Sequence, residues 1–202
     1  MYRIALPKGA LFEASRELLS KIGIYFELKN RKLILSTNLE EIKVLIVRTH
    51  DVALYVEQGG ADLGIVGSDV LLEKEPEVIT LKNLNFGFCK LVLAANKTKE
   101  KFFKKLDSIP DYTRVATKFP NLTKKFFDQL GVAIEIIELY GSVELAPLTD
   151  LSDLIVDLVG TGKTLRENGL FKIQNISEHS AHLIANKESW QLNHEWFKKI
   201  LN

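Results

Sequence analysis

The sequence predicts an α/β protein with mostly parallel sheets and its ligand site beyond the C-terminal strand ends. Three observations predict this. Short apolar runs alternate with amphipathic stretches along the whole chain. The segment Asp153–Leu170, DLIVDLVGTGKTLRENGL, reads as a strand, a Gly/Thr/Lys turn and a helix start. Several other predicted strands also end in polar, glycine-containing turns.

Taken in order, Tyr2–Leu6 is a strand, and Leu11–Ile22 carries apolar residues at helical spacing up to Gly23, a natural stop. Leu33–Leu35 and Val44–Val47 are strands, and Val52–Gln58 is a short helix closed by Gly59-Gly60. Ala61–Val66 is a strand, followed by Gly67-Ser68-Asp69 opening a helix. Phe86–Ala95 and Arg114–Thr117 continue as strands, with helices near Lys99–Leu106 and Leu122–Leu130. Val132–Leu139 alternates as a strand, Asp153–Val159 is a strand, and a last helix runs from Lys187 to Leu201. The hydrophilic stretch Asn96–Asp111 is the best place for a change of lobe.

The bulk numbers exclude several classes. With 202 residues, 46% hydrophobic, 26% charged and a net charge of +1, the chain has an ordinary globular composition. That charge argues against broad capture of nucleic acid or an anionic membrane. No apolar run approaches the ~20 residues of a membrane span. MYRIALPKGALFEAS has no long apolar segment ahead of a small-residue cleavage site, so the expected location is the cytoplasm. A single cysteine, Cys89, excludes an internal disulfide and reads as a strand thiol. His179 and His182 lack the further ligands of a zinc set, and His50 and His194 are expected at surfaces.

Ile155, Val156, Leu158 and Val159 give the near-continuous apolar run of a strand buried on both faces. Gly160-Thr161-Gly162-Lys163-Thr164 then offers closely spaced N–H groups, two hydroxyls and one cation, the needs of a phosphate ester at a helix start. Asp153 and Asp157 add carboxylates, which a bare anion does not want. A phosphorylated sugar does, because its hydroxyls need acceptors, and a Mg²⁺ on its pyrophosphate needs oxygen ligands. The nucleotide P-loop is the rival, since GTGKT imitates its end; but Asp157 stands where the first glycine belongs, and would repel the β-phosphate. Lys8, Arg48 and Lys118, at the ends of three strands, complete a candidate polyanion site.

With these residues laid out, the chain resembles the short form of ATP phosphoribosyltransferase. The resemblance is carried by ALPKGAL, RKL at Arg31–Leu33, VRTHDVALYVEQGGADLGIVGSDVL (Val47–Leu71), RVATKFPNLT (Arg114–Thr123), GSVELAPL (Gly141–Leu148) and DLIVDLVGTGKTLRENGL. The last is similar to the family's phosphoribosyl-pyrophosphate loop. The resemblance implies a two-lobed fold like that of type II periplasmic binding proteins, with a central cleft. Residues 1–88 plus 172–202 would form one lobe and 89–171 the other. It implies the first step of histidine biosynthesis, with Asp157, Arg31 and Arg48 catalytic. Asp153, Asp157, Thr161, Gly162, Lys163 and Thr164 would bind phosphoribosyl pyrophosphate, and Lys8, Gly9, Arg31, Arg48 and Lys118 would take the ATP phosphates or pyrophosphate. Mg²⁺ would come bound to substrate, with no metal site of the protein's own. Short-form members act with a subunit resembling histidyl-tRNA synthetase, which brings feedback inhibition by histidine, and 202 residues are expected to leave no room for the long form's regulatory domain. Ala10, Ala53 and Asp150 stand where the family usually has arginine, proline and glycine. Two other readings are a phosphoribosyltransferase for another acceptor and a non-catalytic binding protein of the same architecture.

Overall fold

The computed structural model describes residues 1–28, 32–103 and 105–201. They fall into two units, Met1–Gly87 with Ser180–Asn202, and Phe88–His179. Each is built round its own sheet.

In the first unit the order is β1 (Tyr2–Pro7), α1 (Phe12–Lys21), β2 (Ile34–Ser36), β3 (Ile42–Val47), α2 (Val52–Glu57), β4 (Leu63–Gly67), α3 (Ser68–Lys74) and β5 (Ile79–Asn83). The second unit supplies β6 (Cys89–Asn96), β7 (Thr113–Thr117), α4 (Pro120–Leu130), β8 (Ile134–Glu138), β9 (Leu154–Val159), α5 (Lys163–Glu167) and β10 (Leu170–His179). The chain then returns to the first unit with β11 (Ala181–Ala185), α6 (Lys187–Leu192) and α7 (His194–Leu201). The first sheet runs β2-β3-β1-β4-β11-β5 and the second β10-β6-β9-β7-β8.

Both sheets are sandwiched, which is why their central strands are apolar almost without interruption. Ile4, Leu6, Val44, Leu63 and Ile65 pack with Leu19 of α1 and Phe197 of α7 on one face of the first sheet. Ala5 and Val66 pack with Val52 and Val56 of α2 and Val70 of α3 on the other. Gly64 lets α2 lie close, since a Cβ there would meet Val56 Cγ2 at 2.7 Å. In the second unit Leu93, Val115 and Val156 pack against Phe127 of α4, and Val92, Ala116 and Ile155 against Val143, Ala146 and Leu165.

Four expectations are corrected. The sheets are mixed: parallel pairing joins β3-β1-β4 and β8-β7-β9, while the other pairings are antiparallel. The antiparallel strands include β5, β10 and β11, which sequence reading did not identify. The chain leaves the first unit after Gly87, not within Asn96–Asp111, and it returns at Ser180 rather than 172, because β10 pairs along its length with β6. No α-helix forms near Lys99–Leu106 among the described residues. Single 3₁₀ turns cover Lys97–Lys99 and Leu106–Ser108, and Ser108 Oγ donates to the carbonyls of Phe102 and Lys105, a local alternative to helix. The final helix breaks at Asn193, whose side chain instead accepts from the Tyr2 hydroxyl at 3.0 Å and donates to the Ser189 carbonyl at 3.1 Å.

Candidate functional site

The second unit holds a cavity of about 490 Å³ whose lining includes Glu144, Asp157, Gly160, Thr161, Lys163 and Thr164. Strand β9 sets its floor. Its register puts Val156 beside Thr117 of β7 and Asp157 opposite Val92 of β6; β7 pairs no further, while Leu158 and Val159 stay paired with Leu91 and Lys90 of β6 before the chain turns at Gly160. Gly162 occupies the left-handed region at φ 73°, and a Cβ there would sit 3.1 Å from Arg166 Nη1. Arg166 Nη1 also donates to the Thr161 carbonyl at 3.3 Å. Asn168 Nδ2 donates to the Thr164 carbonyl at 2.9 Å, closing α5 one turn later. A turn held in this way presents the opening N–H groups of α5, which lack intrahelical acceptors, beside the hydroxyls of Thr161 and Thr164.

Asp157 is the most perturbed group here. Burial pushes its carboxyl up to about 6. The Leu158 N–H, donating to Oδ1 at 2.9 Å, and the Lys118 charge pull the other way, while Glu144 adds repulsion. A carboxyl near neutrality in a cavity, next to a phosphate-type loop, has the signature of a functional group. It can accept hydrogen bonds from a sugar's hydroxyls and oppose positive charge developing on the ring.

Asp153 behaves differently, and here the sequence reading is corrected. Four residues along a strand span about 13 Å, so Asp153 lies at the far end of β9 and does not line the cavity. Burial alone would raise its carboxyl. Hydrogen bonds from Arg114 and Lys99 outweigh that and hold it below the ordinary carboxylate value. Lys99 Nζ lies 3.1 Å from Oδ1 and Arg114 Nε 3.3 Å from Oδ2. Asp153 fastens the start of β7 to the start of β9.

The cations divide between the units. Lys118 follows β7, is half-buried, and reaches Asp157 electrostatically. In the first unit, Pro7 pairs with Val47 in parallel register, so Lys8 and Arg48 emerge side by side from neighbouring strand ends. The Lys8 N–H donates to the Val47 carbonyl at 2.8 Å, and Thr49 Oγ1 donates to the Lys8 carbonyl at 2.9 Å. Gly9 follows at φ 91°. Arg31 lies outside the described residues. Lys163 lines the cavity but shares its charge with Glu167, 3.7 Å away.

Glu144 was not identified as a site residue from the sequence, where it stood only within the block Gly141–Leu148. It sits in the 3₁₀ segment Val143–Leu148, anchored by buried Val143 and Ala146. Asp150 has φ 56°, a conformation that aspartate tolerates better than most residues. Elsewhere, buried His179 shares a 2.7 Å hydrogen bond with Ser177 Oγ.

The fold and loop define a class first: a two-sheet α/β protein with a binding-protein fold and a phosphate-type turn at a strand end. The alkanesulfonate-binding protein SsuA from Xanthomonas axonopodis is similar at TM-score 0.64 and 12% identity, over 98% of this chain and 70% of that one, which shows the fold alone. Closer matches narrow the class. A family model for ATP phosphoribosyltransferase matches residues 48–202. The ATP phosphoribosyltransferases of Rippkaea orientalis and Microcystis aeruginosa are each 46% identical over 99% of this chain, covering 98% and 95% of their own lengths. The ATP phosphoribosyl transferase (HisG:HisZ) complex from Thermotoga maritima is similar at TM-score 0.84 and 36% identity, over 100% of this chain and 97% of that one. The chain belongs to the ATP phosphoribosyltransferase family, and is an enzyme of the pentosyltransferase class.

Proposed function

We propose that the chain joins N1 of the ATP adenine to C1 of the ribose of phosphoribosyl pyrophosphate, the first step of histidine biosynthesis. The observation that carries this reading is Asp157, with its raised pKa, facing a cavity walled by the Gly160–Thr164 turn. The N1 lone pair attacks C1, the C1–O bond breaks with inversion, and pyrophosphate leaves with the electron pair. N1 needs no strong base, so the protein's work is alignment and charge stabilisation.

In this reading the turn holds the unreactive 5′-phosphate through backbone N–H groups and the hydroxyls of Thr161 and Thr164, with Gly162 giving it room and Lys163 adding charge. Asp157 accepts from the ribose hydroxyls and gains strength as the ring becomes cationic. Lys8, Gly9, Arg31, Arg48 and Lys118 are assigned to the phosphates of ATP and to the departing pyrophosphate. Among the described residues no three His, Cys, Asp or Glu side chains gather to hold a metal. A Mg²⁺ delivered on the pyrophosphate would neutralise the leaving group.

We place the reaction in the cytoplasm; no helix among the described residues is long and apolar enough to cross a membrane. The partner is a subunit resembling histidyl-tRNA synthetase, supported by the HisG:HisZ complex of the Thermotoga relative. The test is to incubate the chain, with and without that partner, with phosphoribosyl pyrophosphate and either ATP or another base. Release of pyrophosphate only with ATP supports the reading. Transfer to another acceptor, or binding without turnover in both preparations, overturns it.

A further inference from the structure

Behind the same turn lies a second cavity, of about 450 Å³, within the second unit. It shares Val159, Gly160, Thr161, Gly162 and Leu165 with the first, but its charged lining differs. Where the first is lined by Asp157, Glu144 and Lys163, this one is lined by Lys90, Lys97, Arg166 and Lys172, and by no carboxylate. Its apolar wall includes Val92, Leu170 and Phe171.

The strand pairing is shaped to bring these residues together. Regular alternation would send Lys172 and Asn175, three apart, to opposite faces of β10. A register irregularity between Lys172 and Gln174 resets the strand, so Lys172 stands opposite Ala94, Asn175 opposite Val92, and both line the cavity. A second irregularity between Asn175 and Ser177 brings Glu178 opposite Lys90. Glu178 pairs with Lys90 at 2.6 Å and neutralises that one cation. No ion pair ties down Lys97, Lys172 or Arg166 among the described residues; Arg166 is spent on the Thr161 carbonyl. Lys97, Arg166 and Lys172 are exposed and open to an anion, and bulges that re-aim side chains are common beside working sites. The volume lies within the range of about 300–1,000 Å³ typical of small-molecule sites, and cations above an apolar wall suit a ligand with a charged head and an apolar body.

We propose that this cavity is a second anion site, for a phosphate ester with an apolar or aromatic body. Its occupant touches the Gly160–Gly162 turn from the flank away from Asp157. Two anions on either side of one short turn repel, so occupancy here weakens donor binding several-fold, and donor binding weakens the occupant by the same factor. The inference rests on the assignment of the donor to the Asp157 flank.

The probe is 1-naphthyl phosphate, titrated into the full chain by calorimetry at rising fixed concentrations of phosphoribosyl pyrophosphate. The expected result is one equivalent bound, with a dissociation constant that rises several-fold and then levels off. Lys97→Ala/Lys172→Ala should weaken the probe by about tenfold or more, whereas Asp157→Asn should leave it bound. Turnover of the double variant without the probe should stay within about twofold of wild type. A dissociation constant that rises without limit, one that never changes, or binding indifferent to the double variant overturns the proposal. Failure of the transferase reading shows separately, as wild-type protein and partner that turn nothing over.

Discussion

Asp157 holds its proton more tightly in the folded protein than in the unfolded chain, and that has a sign. Its carboxyl rises from 3.8 to about 6, so folding is unopposed by this group while it is protonated. The cost of the buried charge grows as pH rises from 3.8 to 6 and is complete above that, at about 3 kcal/mol. Asp157→Asn keeps an acceptor for the Leu158 N–H and removes the repulsion from Glu144. It is expected to raise the melting temperature at pH 7.5 by several degrees, with the gain gone near pH 4, as thermal scans at both pH values will show. In the wild type, kcat/KM for the donor should rise with pH through about 6 as the carboxylate forms. Asp153 has the opposite sign. Its depressed pKa contributes stability above the ordinary carboxylate range, lost as pH falls. Asp153→Asn should cost about 1–2 kcal/mol in denaturant titration and leave the turnover of folded protein near wild type, separating a fastening residue from a site residue. Sequence spacing alone put both aspartates in one site. It could not weigh the reach of a strand, nor see that Lys99 and Arg114 already engage one of them.

At the scale of elements, the turn from Gly160 to Thr164 was legible because its chemistry is local: glycines, hydroxyls and a cation at a strand end. So were the central strands, whose apolar runs follow from burial on both faces. What was hidden depends on distant partners. β10 alternates Phe171, Ile173 and then slips to Ile176, a pattern broken by the irregularities that pair it to β6. β11 is five residues, recognisable only from its place between β4 and β5. The turn itself makes a prediction. Gly162→Ala forces a side chain into φ 73° within 3.1 Å of Arg166, at a cost of about 1–2 kcal/mol. Since the strain falls on the turn, the KM for phosphoribosyl pyrophosphate should rise more than kcat falls. Thr164→Ala, which removes one hydroxyl from the 5′-phosphate, should likewise act on donor KM, by about tenfold. Initial-rate kinetics at saturating ATP reads both.

For the whole molecule, the alternation of short apolar runs with amphipathic stretches placed the chain among α/β proteins and the six sequence blocks placed it in its family. The unit boundaries were legible only to within several residues, because the return strand carries no break in composition. Arrangement of the partner is beyond what one chain encodes in its pattern. Adding the histidyl-tRNA-synthetase-like subunit should raise turnover and bring inhibition by histidine with it, and histidine should not slow the isolated chain; tight calorimetric binding of histidine to that chain would count against this division of labour. The central claim is that Asp157 meets the ribose as it becomes cationic, and it is tested most directly by steady-state turnover of wild type and Asp157→Asn with the partner present. With ATP saturating and phosphoribosyl pyrophosphate varied, kcat is predicted to fall by about 10²-fold or more while KM changes far less. An Asp157→Asn protein that is folded and turns over near the wild-type rate would contradict it.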